Sequence, residues 1–196
     1  MADVKISDLS GATTPLTGAE LLELSQVNGA TRDSVQATVD QVSYANAKIG
    51  AFHDTTDQTG NIAVATAVVF NTGVINTRGV TVASSSRVTF ATAGLYAIQI
   101  TLEFANSDAA DRNVNVWLAK NGVAIATSNS ITTVPKVGDG GRAHFSLDAV
   151  VELAANGYIE VMWLPLNVAV TIDYAAAGAI APATPSASIM AERIAL

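Results

Sequence analysis

Two histidines, two pairs of aspartates and one glycine-rich loop are the residues of this chain whose types could do chemistry. A metal centre or a proton relay needs histidines and carboxylates gathered at short spacing. His53 and His144 stand in distant stretches, neither with a second histidine or a cysteine nearby. Each is therefore read as a structural or solvated side chain. Asp54 with Asp57, and Asp108 with Asp111, have spacings seen in calcium loops. Neither set supplies the roughly six to eight oxygens that calcium takes, so both are read as solvated turn carboxylates. Gly138-Asp-Gly-Gly-Arg142 resembles a phosphate cradle in composition. A cradle needs a helix N-terminus behind it, and no helical pattern follows. There is no Gly-x-Ser-x-Gly elbow and no Walker loop. With no cysteine, thiol nucleophiles, disulfides and cysteine metal sites are excluded. The expectation is a protein that is not an enzyme, with no catalytic residue, cofactor or metal site, working by binding.

The elements that would position a binding surface are strands. From Tyr96 the chain alternates strictly: Tyr96, Ile98, Ile100, Leu102 and Phe104 fall on one face, and Ala97, Gln99, Thr101 and Glu103 on the other. A period of two places the apolar row on one side of a half-buried β-strand. Val88 and Phe90 end a shorter strand before it, and Gly94 permits a tight turn between the two. Later segments repeat the style. Val114, Val116 and Leu118 alternate with Asn115, Trp117 and Ala119; Phe145, Leu147, Ala149 and Val151 mark another strand; Val168, Val170 and Ile172 a third; Ser188–Ile194 closes the chain. Asn121-Gly122 and Asn156-Gly157 supply turns between strands. Ala67–Phe70 is read as a compact apolar strand, and Asn129–Arg142 as a loop. Eight to ten short strands with no second helical pattern mean a sandwich or barrel.

Length and composition bound the rest. A chain of 196 residues fits one sizeable domain with a small appendage. Charged residues make up 14%, against about 25% in an average domain. Apolar residues make up 49%, yet no run approaches the roughly 18 residues that cross a bilayer. So much apolar material with so little charge points to surface covered by other subunits. The net charge of −7 speaks against a protein that binds nucleic-acid backbones, and no membrane partner is expected. The start, Met-Ala-Asp-Val-Lys-Ile, lacks a basic segment followed by an apolar core, so no signal peptide is expected.

Residues 1–48 read as a separate module. Ile6 and Leu9 belong to a short apolar start, and Thr14-Pro15 signals a turn. Glu20–Val27, carrying Leu22 and Leu24, forms a strand. Asn28-Gly29 reads as the hairpin turn, and Thr31–Ala37, carrying Val35, returns. Thr38 and Gln41 have capping-box spacing, predicting a short helix through Val42 and Tyr44 to about Ala47. A module of this size has too little core to fold firmly alone, so it must dock on its own trimer mates or on a larger host surface; the plainer alternative is that it packs against the β-body. Ile6, Leu9, Leu22, Leu24 and Val35 are the candidate docking residues. Lys5-Ile-Ser-Asp-Leu9, Thr14-Pro-Leu-Thr-Gly-Ala-Glu-Leu-Leu22 and Gln26 resemble the segment that opens many bacteriophage fibre and head-decoration proteins. That resemblance implies attachment to the virion, with the body projecting outward.

The body, 49–196, carries a second resemblance. Phe90-Ala-Thr-Ala-Gly94-Leu-Tyr96 looks like the Phe-x-x-x-Gly-x-Tyr signature of the globular heads of complement component and tumour necrosis factor-like proteins. Val116–Gly122 and Ser146–Val161 fit the strands that follow it in that family. The resemblance implies an all-β, ten-stranded jelly roll assembling as a homotrimer. There is neither a collagen-like stalk nor a secretion signal, so a free signalling ligand is poorly supported. Oligomerisation is also expected from the residues themselves. In Tyr158–Leu164 both faces are apolar apart from Glu160, unlike a sandwich strand with a wet outer face. Tyr158, Ile159, Val161 and Trp163 are the candidate interface residues.

Together these readings lead to the expectation of a trimeric virion protein of a tailed bacteriophage, made in the host cytoplasm. Decoration of the head, bound to the major capsid protein or another virion protein, is favoured. The alternative is a short tail fibre or receptor-binding tip that adsorbs to a host surface glycan. Decoration is preferred because the predicted loops Thr55–Asn61, Asn106–Asn113, Asn129–Arg142 and Ala175–Ser186 contain no tryptophan or phenylalanine, and such residues anchor recognition surfaces.

Overall fold

The computed structural model describes residues 21–28, 31–38, 47–73 and 77–195. The chain divides into two compact units, Met1–Ala47 and Lys48–Leu196. In the first unit, β1 (Leu21–Asn28) and β2 (Thr31–Thr38) form a two-stranded antiparallel ribbon. Leu22 pairs with Ala37 and Leu24 with Val35. Asn28 closes the strand opposite Thr31 instead of opening the turn, so the register runs one residue beyond the reading from sequence. Ile6, Leu9 and the helix expected through Val42 and Tyr44 lie outside the described residues.

The second unit is a sandwich of two antiparallel sheets. Its strands are β3 (Ile49–Asp54), β4 (Gln58–Thr59), β5 (Thr66–Ala67), β6 (Thr72–Gly73), β7 (Val80–Ala83), β8 (Arg87–Phe90) and β9 (Gly94–Asn106). They continue with β10 (Arg112–Lys120), β11 (Val123–Ala124), β12 (Ser130–Val134), β13 (Arg142–Leu153), β14 (Gly157–Pro165), β15 (Val170–Ile172) and β16 (Ala187–Ala195). Four of these, β4, β5, β6 and β11, are two-residue pieces, and ten longer strands remain among the described residues. Sheet I runs β11-β10-β14-β8-β7, with β12 also on β10 and β5 on β14. Sheet II runs β4-β15-β9-β16-β3-β6, with β13 also on β9.

The alternation of β9 builds the core as its sequence predicts. Tyr96, Ile98, Ile100, Leu102 and Phe104 are all buried, while Gln99 is exposed. Facing them from sheet I are Val88 and Phe90 of β8, Val114, Val116 and Leu118 of β10, and Ile159, Val161 and Trp163 of β14, in one continuous cluster. Each such side chain contributes on the order of 1.5–3 kcal/mol by leaving water. Phe104 packs at 6.1 Å from Trp163 and 6.4 Å from Phe145, ring centre to ring centre.

Three segments depart from the sequence reading. Val168, expected in one strand with Val170 and Ile172, is exposed and lies before β15. Val68 and Phe70 are buried, but Val68–Phe70 is not a ladder strand. The Gln58 side chain holds it, accepting from Val69 N at 2.8 Å and donating to Val69 O at 3.0 Å. One primary amide thus does the work of a neighbouring peptide group. Ser130–Val134, read as loop, is strand β12, because β10 presents free backbone groups from Arg112 to Val116 for it to pair with.

The Phe-x-x-x-Gly-x-Tyr signature is a structural corner. Phe90 and Tyr96 pack with centroids 4.4 Å apart, and Tyr96 OH donates to Thr92 O at 2.9 Å. Gly94 has φ 153°, and a Cβ there would lie 2.6 Å from the Ala195 carbonyl oxygen. The closing strand can approach only because that carbon is missing. Gly94→Ala is expected to cost about 1–3 kcal/mol through backbone strain and displacement of β16. Urea unfolding at fixed protein concentration measures it, and a change near zero would refute the corner's role.

Candidate interaction surfaces

The aspartates read from sequence as solvated turn carboxylates instead tie distant segments together, and Asp54 is not solvated at all. Asp54 is buried, and its Oδ2 accepts from Thr56 Oγ1 at 2.9 Å, Gln58 Nε2 at 2.8 Å and Ser186 Oγ at 3.1 Å. Asp57 Oδ1 accepts from Tyr174 N at 2.7 Å, and Asp111 Oδ1 from Lys136 N at 2.9 Å. His144 Nδ1 lies 2.7 Å from Glu103 Oε1 across the β9–β13 pair, while His53 sits on the outer face of β3. Among the described residues, no three histidine or acidic side chains gather in a way that could hold a metal ion. Gly138-Asp-Gly-Gly-Arg142 overlaps a single 3₁₀ turn, Val137–Asp139, and leads straight into β13.

Asp108 accepts from Arg112 Nε at 2.8 Å. That hydrogen bond holds its carboxyl below the ordinary range; desolvation opposes the effect, and backbone donors at Ala109 and Ala110 add to it. A depressed folded value means that the contribution is present above the unfolded carboxyl range and disappears as pH falls through the lower folded value. Arg112→Met is expected to return the Asp108 carboxyl towards its ordinary titration range. Carboxyl-carbon NMR titration checks this, and an unmoved midpoint would contradict the assignment.

The sandwich presents two outer faces. On β14 the burial alternates without exception. Ile159, Val161 and Trp163 are fully buried in the protomer's own core. This corrects the expectation that they meet a neighbouring chain: an apolar row cannot line an interface when the opposing sheet already covers it. Tyr158 lies on the other face with Glu160, Met162 and Leu164, all half-buried. There Arg87 stacks over the Tyr158 ring at 4.7 Å and meets Glu160 at 3.5 Å, and Ser86 Oγ donates to Glu160 at 3.0 Å. Beside this row on β10, Trp117 pairs with Met162, and Asn115 with Leu164. Trp117 is half-buried, so its indole belongs to the surface. The alternation on β10 had put Trp117 on the face opposite Val116, which was the signal available for this.

The outer face of sheet II differs in character. Cross-strand pairing aligns Ala51 with Met190, Met190 with Gln99, and Gln99 with Asp148. The next row runs His53, Ser188, Thr101 and Ser146. A shallow groove of about 400 Å³ lies here, lined by Ala51, His53, Gln99, Thr101, Ser188 and Met190 among others. The groove itself is lined by small or uncharged side chains beside His53, while Asp148, Glu152 and Glu192 stand exposed elsewhere on the face. No helix among the described residues is long and apolar enough to cross a membrane.

No protein-family model and no curated protein matches the sequence. Solved structures do match. A crystal structure of murine APRIL at pH 8.0 superposes with a TM-score of 0.51 and 12% identity, covering 76% of this chain and all of that one. Another of murine APRIL, at pH 8.5, gives 0.49 and 13% over the same shares. With two antiparallel sheets in this order and that superposition, the chain has a tumour necrosis factor-like jelly-roll fold.

Proposed function

We propose that this chain is a homotrimeric structural protein of a tailed-bacteriophage virion, decorating and stabilising the head. Residues 1–48 attach it to the major capsid protein or another virion protein, and the jelly roll projects as a knob. The observation that carries the reading is the division into two units at Ala47 and Lys48. A unit whose described residues form one two-stranded ribbon precedes the sandwich, and its sequence resembles phage attachment segments. The groove on the outer face of sheet II, lined by Ala51, Gln99, Thr101, Ser188 and Met190, supports trimerisation, since a second copy can approach there without covering a carboxylate. Decoration requires no catalysis. A subunit that binds only assembled shell stabilises it by RT ln(1 + [L]/Kd).

A second reading, a short tail fibre or receptor-binding tip, gains support from the outward Trp117 of sheet I, an aromatic platform outside the loops. Two measurements test the proposal. Sedimentation equilibrium should give about three times the 20.1 kDa chain mass, and a monomer at micromolar concentration would refute the trimer. Particles lacking the protein should adsorb to cells normally yet break on heating or osmotic shock. Sturdy particles that fail to adsorb would favour the tail-tip reading.

A further inference from the structure

We propose that the outer face of sheet I carries a binding site for a neutral saccharide, built around Trp117. A dish of about 370 Å³ opens beside the indole, lined by Asn115, Trp117, Ile125, Thr127, Asn129 and Leu164, with Ala124 at its edge. Three features define what it would take.

The first is the platform. Trp117 sits mid-strand on β10, paired with Met162 of β14 and half-buried, so its ring is held by a sheet and needs little ordering on binding. The electron-rich face of an indole attracts the electron-poor C–H groups on the face of a pyranose ring. The second is the hydrogen-bonding edge. Asn129 Nδ2 donates to Asn115 Oδ1 at 3.1 Å. That bond leaves the Asn115 amide hydrogens and the Asn129 Oδ1 without a protein partner, one donor group beside one acceptor. Neighbouring sugar hydroxyls, each both donor and acceptor, complement that pair. The third is charge. No lining residue is charged, although the chain carries −7 overall. An anionic or cationic ligand would find no partner here, whereas a polyhydroxylated neutral one leaves nothing unpaired. An apolar wall with a few placed polar groups is the usual composition of a small-ligand site.

The site was hidden from sequence because β11, β12 and their turns come together only through β10. Val123 and Ala124 pair with Lys120 and Ala119, and Ser130–Val134 pairs with Arg112–Val116. The connection between them, including Thr127 at φ 64°, is thereby brought over the edge of the indole. The inference goes beyond virion attachment and stands whether the trimer sits on a head or at a tail tip.

The test uses the full chain and four neutral sugars: lactose, maltose, cellobiose and N,N′-diacetylchitobiose. Saturation-transfer NMR should show at least one of them binding, with a dissociation constant on the order of a millimolar. Trp117→Ala, verified as folded by circular dichroism, should abolish the transfer, and Trp117→Phe should weaken binding about tenfold while keeping an aromatic ring. Because Trp163 is fully buried, acrylamide quenching of the free protein reads Trp117, and the bound sugar should protect it. No transfer to any of the four sugars, or equal transfer from Trp117→Ala, would overturn the proposal. So would a Trp117 already shielded from acrylamide in the free protein, since a second copy would then occupy the dish.

Discussion

Trp163→Ala should cost about 3–5 kcal/mol, while Trp117→Ala, one strand away in the same sheet, should cost about 1 kcal/mol or less. The two tryptophans point to opposite sides of sheet I. Trp163 is fully buried, packed against Phe104 with centroids 6.1 Å apart. Its far edge is so tightly covered that a Cβ on Gly60 would come within 2.8 Å of its Cη2 atom. Removing the ring leaves a cavity that the surrounding strands cannot close. Trp117 loses contact with solvent and with the sheet surface only in part, so its removal opens no cavity. Ile100→Ala, in the centre of β9 and likewise fully buried, should fall at about 2–5 kcal/mol for the same reason as Trp163. Urea unfolding of the variants at one protein concentration measures all three. Equal losses for the two tryptophans would mean that the inner and outer faces of sheet I had been exchanged.

The second large effect concerns attachment. A chain beginning at Lys48 is expected to fold and trimerise with the stability of the full protein and to lose virion binding. The core of the sandwich is assembled from β3 onward, with Phe52 its first buried apolar residue. Within the described residues of the first unit there is one two-stranded ribbon, and an isolated hairpin is marginal in water without something to pack on. On the proposed reading, the unit finds its packing partner on the virion surface. Co-sedimentation of the truncated trimer with particles lacking the native protein gives the answer. Full binding by the truncated chain would move attachment into the jelly roll, and failure of the truncated chain to fold would mean that residues 1–47 belong to its core.

What the sequence determined by itself was the periodicity. The strict alternation of Tyr96–Phe104, the row of β13 and the Phe90–Gly94–Tyr96 corner were legible because local sterics and side-chain direction repeat every two residues. The roles of the aspartates were not legible from their short spacings, because Asp54, Asp57 and Asp111 find partners at Ser186, Tyr174 and Lys136, which only the fold brings near. Tertiary structure decided which of two apolar rows is inside. On β14 both rows are apolar, and period two separates Tyr158, Met162 and Leu164 from Ile159, Val161 and Trp163 without ranking them. Only the opposing row of β9, contributed from elsewhere in the chain, selects the second set for the core. Non-local pairing likewise made Ser130–Val134 a strand and left Val68–Phe70 off the ladder, because β10 offers free backbone groups to the former and Gln58 takes up the backbone of the latter. The placement of Trp117 beside Asn115 and Asn129 has the same origin: the alternation sends the indole outward, and the sheet brings its neighbours to it.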